Sequence, residues 1–297
     1  MEFRHLEALV AIVEEGSFTS AADVLNTVQS NVSEQIRQLE AELGVPLLVR
    51  SRRGAEPTEV GRAVVARARR IARERDGLLA DVAAIEGLEV GEASVGVVGT
   101  ASRWLVPELV GSLRRRAPGV HFRINEGTSE RLVTGVLDGE LSQALVTGPI
   151  ANDRLIEEHL LDERLVGLVP DASPIVGDAP VPLARIAREP MVMPPANNPL
   201  RLEVQQAAAA VGVELEVPIE IEGVRLIGDL VAAGAGVSIL PETAIPEDAP
   251  GLRTVAIDGL PPRRLVLVTR RDAQLSIADR AVREQVLAMV AARVPKR

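Results

Sequence analysis

The sequence of 297 residues contains no cysteine and no tyrosine, one tryptophan (Trp104), three phenylalanines and one lysine (Lys296). Without cysteine, disulfides, thiolate nucleophiles and thiolate metal sites are excluded, in any compartment. The near-absence of lysine beside abundant Ala, Arg, Val and Gly reads as genomic GC bias and says little about function. No apolar run approaches the roughly 20 residues that cross a bilayer, and an opening charged at Glu2 and Arg4 does not read as a signal peptide. A cytoplasmic protein without membrane attachment is expected. His5, His121 and His159 are scattered, with no metal-ligand spacing. Neither a Gly-x-Ser-x-Gly motif nor a phosphate loop occurs, and Gly234-Ala235-Gly236 reads as a helix end before a strand. Carboxylates are plentiful, but no pattern pairs two of them for acid–base work. The expectation is no metal, no cofactor and no enzyme.

What is present fills sizeable cores. Hydrophobic residues make up 46% of the chain, and the length suits two domains of about 150 residues each. Near the start, Phe3, Leu6, Leu9, Val10 and Val13 form one apolar stripe that ends at Gly16, with Ser17 placed to cap a second helix carrying Phe18, Ala21, Ala22 and Leu25. A third set, Val32, Ile36, Leu39 and Leu43, falls within about 40° of one direction at roughly 100° per residue. Asn26 and Thr27 between the second and third stripes favour a tight turn. Three small helices then share one core.

Opposite the third stripe lie Ser30, Ser33, Glu34 and Arg37, with Gln29 and Asn31 at the leading end. Gln and Asn pair bidentately with adenine, Arg with guanine, and Ser with several base edges, so this face suits the major groove. A solvated helix face carries the same residue types, and the helix alone does not separate the two readings. Its neighbour does. From Arg50 to Arg75 nine arginines face three glutamates, a local net charge of +6 in a chain whose net charge is −9. Phosphate is the natural counter-charge, and Arg50, Arg52 and Arg53 are the arginines least explained as scattered surface charge.

The stretch from Phe3 to Gly61, through "EEGSFTSAADVLNTVQSNVSEQIRQLEAELGVPLLVRSRRGAEPTEVG", resembles the winged helix-turn-helix of LysR-type transcriptional regulators. The resemblance implies that Arg50 to Thr58 forms the wing and that the helix opening near Thr58 leads to an effector domain. Three positions depart from the family pattern: Val28 and Ser30 replace a usual Ser and Pro, and Glu34 stands where a basic or neutral residue is frequent. Glu34 can accept from cytosine N4, but near phosphate it repels.

Beyond the wing, Val64, Ile71, Leu78 and Ile85 recur every seven residues through a segment without proline, the spacing of paired helices. Packing on its own chain is the alternative, and Gly77 counts slightly for it. The resemblance favours a dimer-forming linker. From Gly91 onward short apolar runs alternate with helical patterns, "ASVGVVG", "VHFRINEG", "QALVTG", "LVGLVP", "PMVMPP", "VPIEIEG", "GVSILP" and "RRLVLVTRR", which predicts an α/β region with a largely parallel sheet. In LysR-type proteins this part resembles a periplasmic binding protein. The expected architecture is an N-terminal all-α winged helix-turn-helix domain (1–58), a long linker helix (59–88) and a C-terminal α/β two-lobed periplasmic-binding-protein-like domain (89–297). Lobe 1 is expected at about 91–162 and 268–297, and lobe 2 at about 163–267.

Ligands of open α/β sheets gather where strands end and helices begin. "GVVGTASRWL" and "MPPANNPLR" are such passages, one per lobe, and Thr100, Ser102, Thr128, Thr147 and Asn197 are the candidate cleft contacts. Ser102, Thr128 and Asn198 serve equally well as helix caps. Two helix N-termini with hydroxyls suit a small anion, a carboxylate by preference. Trp104, two residues beyond Ser102, is expected in the same loop. The resemblance implies double-stranded operator DNA, a small-molecule effector and a homo-oligomer, a tetramer built as a dimer of dimers, with RNA polymerase as a further partner of an activator. The contrasting reading is a solute-binding or amino-acid-processing α/β protein whose N-terminal helices only oligomerise.

Overall fold

The computed structural model describes residues 1–51, 54–85, 91–175, 180–246 and 249–293. Three helices open the chain, α1 (Phe3–Glu15), α2 (Phe18–Val24) and α3 (Gln29–Leu43). The hairpin β1 (Leu48–Ser51) and β2 (Gly54–Pro57) follows, then the long helix α4 (Glu59–Ile85). Gly16 ends α1 in the left-handed region at φ 72°, and the Ser17 hydroxyl accepts the Ser20 amide at 3.0 Å. Those two caps set the tight α1–α2 corner. Asn26, at φ 51°, makes the next turn, a conformation its short polar side chain tolerates. Leu6, Leu9, Ile12, Ala21, Ala22, Val32, Ile36 and Leu39 are buried together, joined by Leu47 and by Val65 and Ala68 of α4. Each fully buried Leu or Ile contributes about 1.5–3 kcal/mol. Leu43, placed by periodicity in the same stripe, is exposed because α3 ends at Gly44.

Along α4 the heptad residues diverge. Val64 packs on the N-terminal core, whereas Ile71 and Leu78 face outward, and Leu79 and Val82 join them there. Leu78 is 64% and Leu79 60% exposed. The other side of the helix does pack on its own chain: Arg69 pairs with Glu140 and Arg70 with Asp272, and Gly77 lies 3.9 Å, measured from an added Cβ, from the Ser276 side chain.

The remainder comprises β3 (Gly91–Val98), α5 (Gly99–Arg116), β4 (Val120–Gly127), α6 (Ser129–Asp138), β5 (Gln143–Gly148), β6 (Leu155–Glu163), β7 (Leu165–Pro170), β8 (Val181–Pro182), α7 (Leu183–Ile186), β9 (Val192–Met193), α8 (Pro199–Ala210), β10 (Ile219–Glu220), α9 (Val224–Ala232), β11 (Ser238–Pro241), β12 (Leu252–Asp258), β13 (Arg263–Arg270) and α10 (Ile277–Arg293). One sheet has the order β4-β3-β5-β13-β6 and a second β11-β7-β12-β8, each with its own apolar core. The chain passes from the first sheet to the second at Arg164 and returns before Arg263.

Two expectations need correction. The first sheet is mixed rather than largely parallel: β3 runs parallel to β4 and β5, but β13 runs antiparallel to both β5 and β6. The second sheet is also mostly antiparallel. All of β13 belongs to the first sheet, so the second lobe does not extend to residue 267. Pro261 and Pro262, which have no N–H for a ladder, separate β12 from β13.

Candidate DNA-binding face and interlobe cleft

The outward face of α3 is internally ordered. Gln29 Nε2 donates to Ser33 Oγ at 2.9 Å and Asn31 Nδ2 to Thr27 Oγ1 at 3.0 Å. Arg37 forks onto Glu34, Nε to Oε2 at 2.8 Å and Nη2 to Oε1 at 2.5 Å, while Gln38 Nε2 donates to the same carboxylate at 2.8 Å. The Arg37 hydrogen bond, followed by that of Gln38, holds the Glu34 carboxyl down at about 2. Glu34 therefore meets an approaching phosphate as half of an ion pair, not as a bare anion. Gln29, Ser30, Asn31 and Arg37 are exposed, and Ser33 and Glu34 half-buried.

Beside this face the hairpin is held by close backbone contacts. Gly54, at φ 130°, lies so near the Gly16 carbonyl that any Cβ would collide with it, and the Ala55 amide donates to that same oxygen at 2.9 Å. Gly61 lies equally close to the Leu47 carbonyl, whose oxygen accepts from the Thr58 amide at 2.9 Å. Thr58 then caps α4, its Oγ1 accepting the Gly61 amide at 2.9 Å. Arg50 is in β1; Arg52 and Arg53 lie outside the described residues.

In the C-terminal half, four helices begin at one cleft of about 390 Å³ between the two sheets. Gly99 opens α5, Ser129 α6, Pro199 α8 and Val224 α9, and all four residues line it. Thr100, Thr128 and Asn197 also line it, brought together from both lobes as the sequence leads one to expect. Thr100 is 6% exposed, and its hydroxyl has no hydrogen-bond partner among the described residues. Thr128 Oγ1 accepts the Arg131 amide at 3.4 Å, and Asn198 Oδ1 accepts the Leu200 amide at 3.0 Å. Ser102 and Thr147 are not on the lining. Since α5 starts at Gly99, Ser102 lies within its first turn and donates back to the Gly99 carbonyl at 3.0 Å. Thr147 Oγ1 accepts from Arg263 Nη2 at 3.0 Å.

Arg263 is the cleft residue that the sequence does not disclose. Its side chain is 4% exposed, with Nε 3.0 Å from Glu203 Oε2 and Nη1 3.5 Å from Glu163 Oε1. Burial raises the Glu163 carboxyl above the usual range, opposed by Arg263 and by a 2.5 Å hydrogen bond from Thr243 Oγ1. Burial raises Glu203 as well, again opposed by Arg263. The only signal in the sequence is an arginine at the head of an apolar strand.

Residues 3–62 match the family model of bacterial regulatory helix-turn-helix proteins of the lysR family, and residues 86–291 match the LysR substrate binding domain. The chain belongs to the LysR family of DNA-binding transcriptional regulators. The DNA-binding transcriptional dual regulator OxyR of Escherichia coli is 29% identical over 249 residues, 84% of this chain and 81% of that one. The HTH-type transcriptional activator CmpR of Synechocystis sp. is 28% identical over 274 residues, 91% and 90% respectively. A full-length OxyR variant from Pseudomonas aeruginosa superposes with a TM-score of 0.77 at 24% identity, covering 98% of this chain and 94% of that one.

Within this LysR-family chain, much of the basic window is turned to the protein itself. Arg69 pairs with Glu14 and Glu140, Arg70 with Asp272, and Arg75 with Glu7 and Asp76 while stacking over the Phe3 ring at 4.1 Å. The positive charge of these three arginines is matched inside the fold. Trp104 is likewise not in the cleft. It packs on the first core under the Arg293 guanidinium, 4.8 Å from the ring centre, because α5 turns it toward α10. Among the described residues no group of three or more His, Asp or Glu side chains is placed to hold a metal.

Proposed function

We propose that the chain reads operator DNA with Gln29, Ser30, Asn31, Ser33, Glu34 and Arg37 in the major groove, and holds the phosphates with Arg50, Arg52 and Arg53. The observation that carries this reading is the outward row of hydrogen-bonding side chains on α3, which the core leaves free beside an antiparallel hairpin. Units 1–58, 59–88 and 89–297 then divide the work into DNA binding, pairing and effector binding. The outward Ile71, Leu78, Leu79 and Val82 of α4 pair with a second copy, and a dimer of dimers places two such pairs on one operator. A cytoplasmic, non-enzymatic regulator is the corresponding whole, with RNA polymerase as a further partner where it activates.

The effector is a small anion. Four helix N-termini present partial positive charge to the cleft, Thr100 supplies an unused donor, and Arg131 and Arg263 line it against Glu126 and Glu222. Arg263, whose donors already face Glu203, Glu163 and Thr147, adds positive charge to the cleft but offers no free fork. Thr100, Thr128 and Asn197 contact it, Thr147 steadies Arg263, and Ser102 shapes the first turn of α5. The effector changes transcription only to the extent that it binds two arrangements of the oligomer with different affinity. Oxidation of a protein thiol is excluded as the signal, since the chain has no cysteine.

Duplex binding measured by fluorescence anisotropy across a salt series tests the first half. Affinity is expected to fall steeply with ionic strength as phosphate contacts release counterions. A folded dimer that retains no duplex at low salt would overturn it, in favour of a solute-binding protein. Arg52→Ala with Arg53→Ala should weaken all sequences alike and flatten the salt slope, whereas Ser33→Ala should change sequence preference.

A further inference from the structure

We propose that a small inorganic oxyanion, phosphate or sulfate, binds between Arg73 of α4 and Arg270 at the end of β13, tying the linker helix to the first lobe. The two guanidiniums line a cavity of about 230 Å³ that shares no residue with the interlobe cleft. Arg270 is 4% exposed; its Nε donates to Asp272 Oδ1 at 2.8 Å, but its Nη1 has no hydrogen-bond partner among the described residues. Arg73 Nη1 is buried and equally without one.

The acids nearby are already engaged. Asp272 takes both Arg270 and Arg70. Asp279 accepts the Ser94 amide at 3.2 Å and the Ser276 hydroxyl at 2.8 Å. With Glu74 and Arg280 included, Arg70, Arg73, Arg270 and Arg280 outnumber Asp272, Asp279 and Glu74 by one positive charge. Burial, and after it the charge of Arg270, lowers Arg73 to about 10, which leaves it protonated at neutral pH. Two neighbouring cations with unused N–H groups are costly away from water. A tetrahedral oxyanion relieves both, because its oxygens accept from two guanidinium forks at once.

The site exists only while α4 lies against the first lobe. Arg73 comes from the helix and Arg270, Ser276 and Asp279 from the lobe, and Gly77 of the helix lies beside the Ser276 side chain. An anion bound here therefore favours this arrangement over any in which the two separate. It acts through elements other than the effector cleft.

Isothermal titration of the full chain with sodium phosphate, and separately with sodium sulfate, at constant ionic strength in chloride tests the site. One saturable event per chain is expected, weakened at least tenfold in Arg73→Ala. The difference between the two titrations identifies which oxyanion is preferred. Hydrogen–deuterium exchange on the unaltered chain supplies a readout that needs no variant: phosphate should slow exchange around residues 70–78 and 270–280. Absence of saturable binding, or binding that leaves those amides unprotected, overturns the proposal. Loss of phosphate binding in Thr100→Val with its retention in Arg73→Ala would move the anion to the interlobe cleft and overturn the proposal as well.

Discussion

Arg37 closes both hydrogen bonds of a guanidinium fork on Glu34, three residues earlier on the same exposed face of α3. The pair decides how the reading face meets DNA. In Glu34→Gln the negative charge goes and Arg37 is released, so affinity for any duplex should rise several-fold and the salt slope should steepen by about one phosphate contact. Anisotropy titrations of matched and scrambled duplexes at several salt concentrations check this. An unchanged slope would mean that Arg37 already reaches phosphate with Glu34 in place.

The same pair sets a pH window. Glu34 is held at about 2 in the folded chain against an ordinary 4.5, so its contribution is complete above about pH 4.5 and is lost as pH falls toward 2. Duplex affinity should therefore be insensitive to Glu34 titration between about pH 5 and 8. A pH series with the wild type and Glu34→Gln should give parallel profiles over that range.

Thr100 buries a hydroxyl that no described residue satisfies. Thr100→Val keeps the shape and removes the unused polar atom, so the thermal midpoint should hold or rise, by an amount corresponding to at most about 1–2 kcal/mol. Binding of a carboxylate effector should weaken about tenfold or more, the loss of a hydrogen bond to a charged group. Calorimetric unfolding and ligand titration of the same sample separate the two effects; a large loss of stability would show that the hydroxyl serves the fold.

Gly61 sits where a Cβ would strike the Leu47 carbonyl, and backbone cannot yield as a flexible side chain does. Gly61→Ala should cost about 1–3 kcal/mol and push α4 away from the hairpin. Denaturant unfolding gives the first quantity. Duplex affinity should fall with it, because Arg50 lies in β1 of that hairpin.

Leu78 and Leu79 stand exposed on α4 in the single chain. Leu78→Glu with Leu79→Glu should leave the protomer folded and shift the sedimentation profile toward monomer. Persistence of an unchanged oligomer would place the pairing surface elsewhere.

The N-terminal unit is legible in the sequence because its determinants are local. Gly16, Ser17 and Asn26 mark the turns, and Leu6, Leu9, Val32 and Leu39 carry the helical period. Strands β4, β5 and β7 begin and end where their apolar runs do. By contrast, β6 reads poorly: "LIEEHLLDE" has no clean alternation, and the ladder slips opposite Leu265 and Val266. Gly99 and Thr100 look like loop residues between strand and helix, yet they open the first turn of α5, with Thr100 buried.

Spacing and composition over a few residues are enough to give the order of the elements, the polar face of α3, the local basic charge, the family likeness and the exclusion of thiol chemistry. Which charges remain available is a property of the folded chain alone. Folding paired Arg37 with Glu34, engaged Arg69, Arg70 and Arg75 within the protein, brought Arg263 to the interlobe cleft, and set Arg73 beside Arg270. Arg263 and Glu163 are 100 positions apart in sequence yet 3.5 Å apart in space. Separations of that kind depend on how two sheets and a long helix close around one another, and no local pattern of side chains records them.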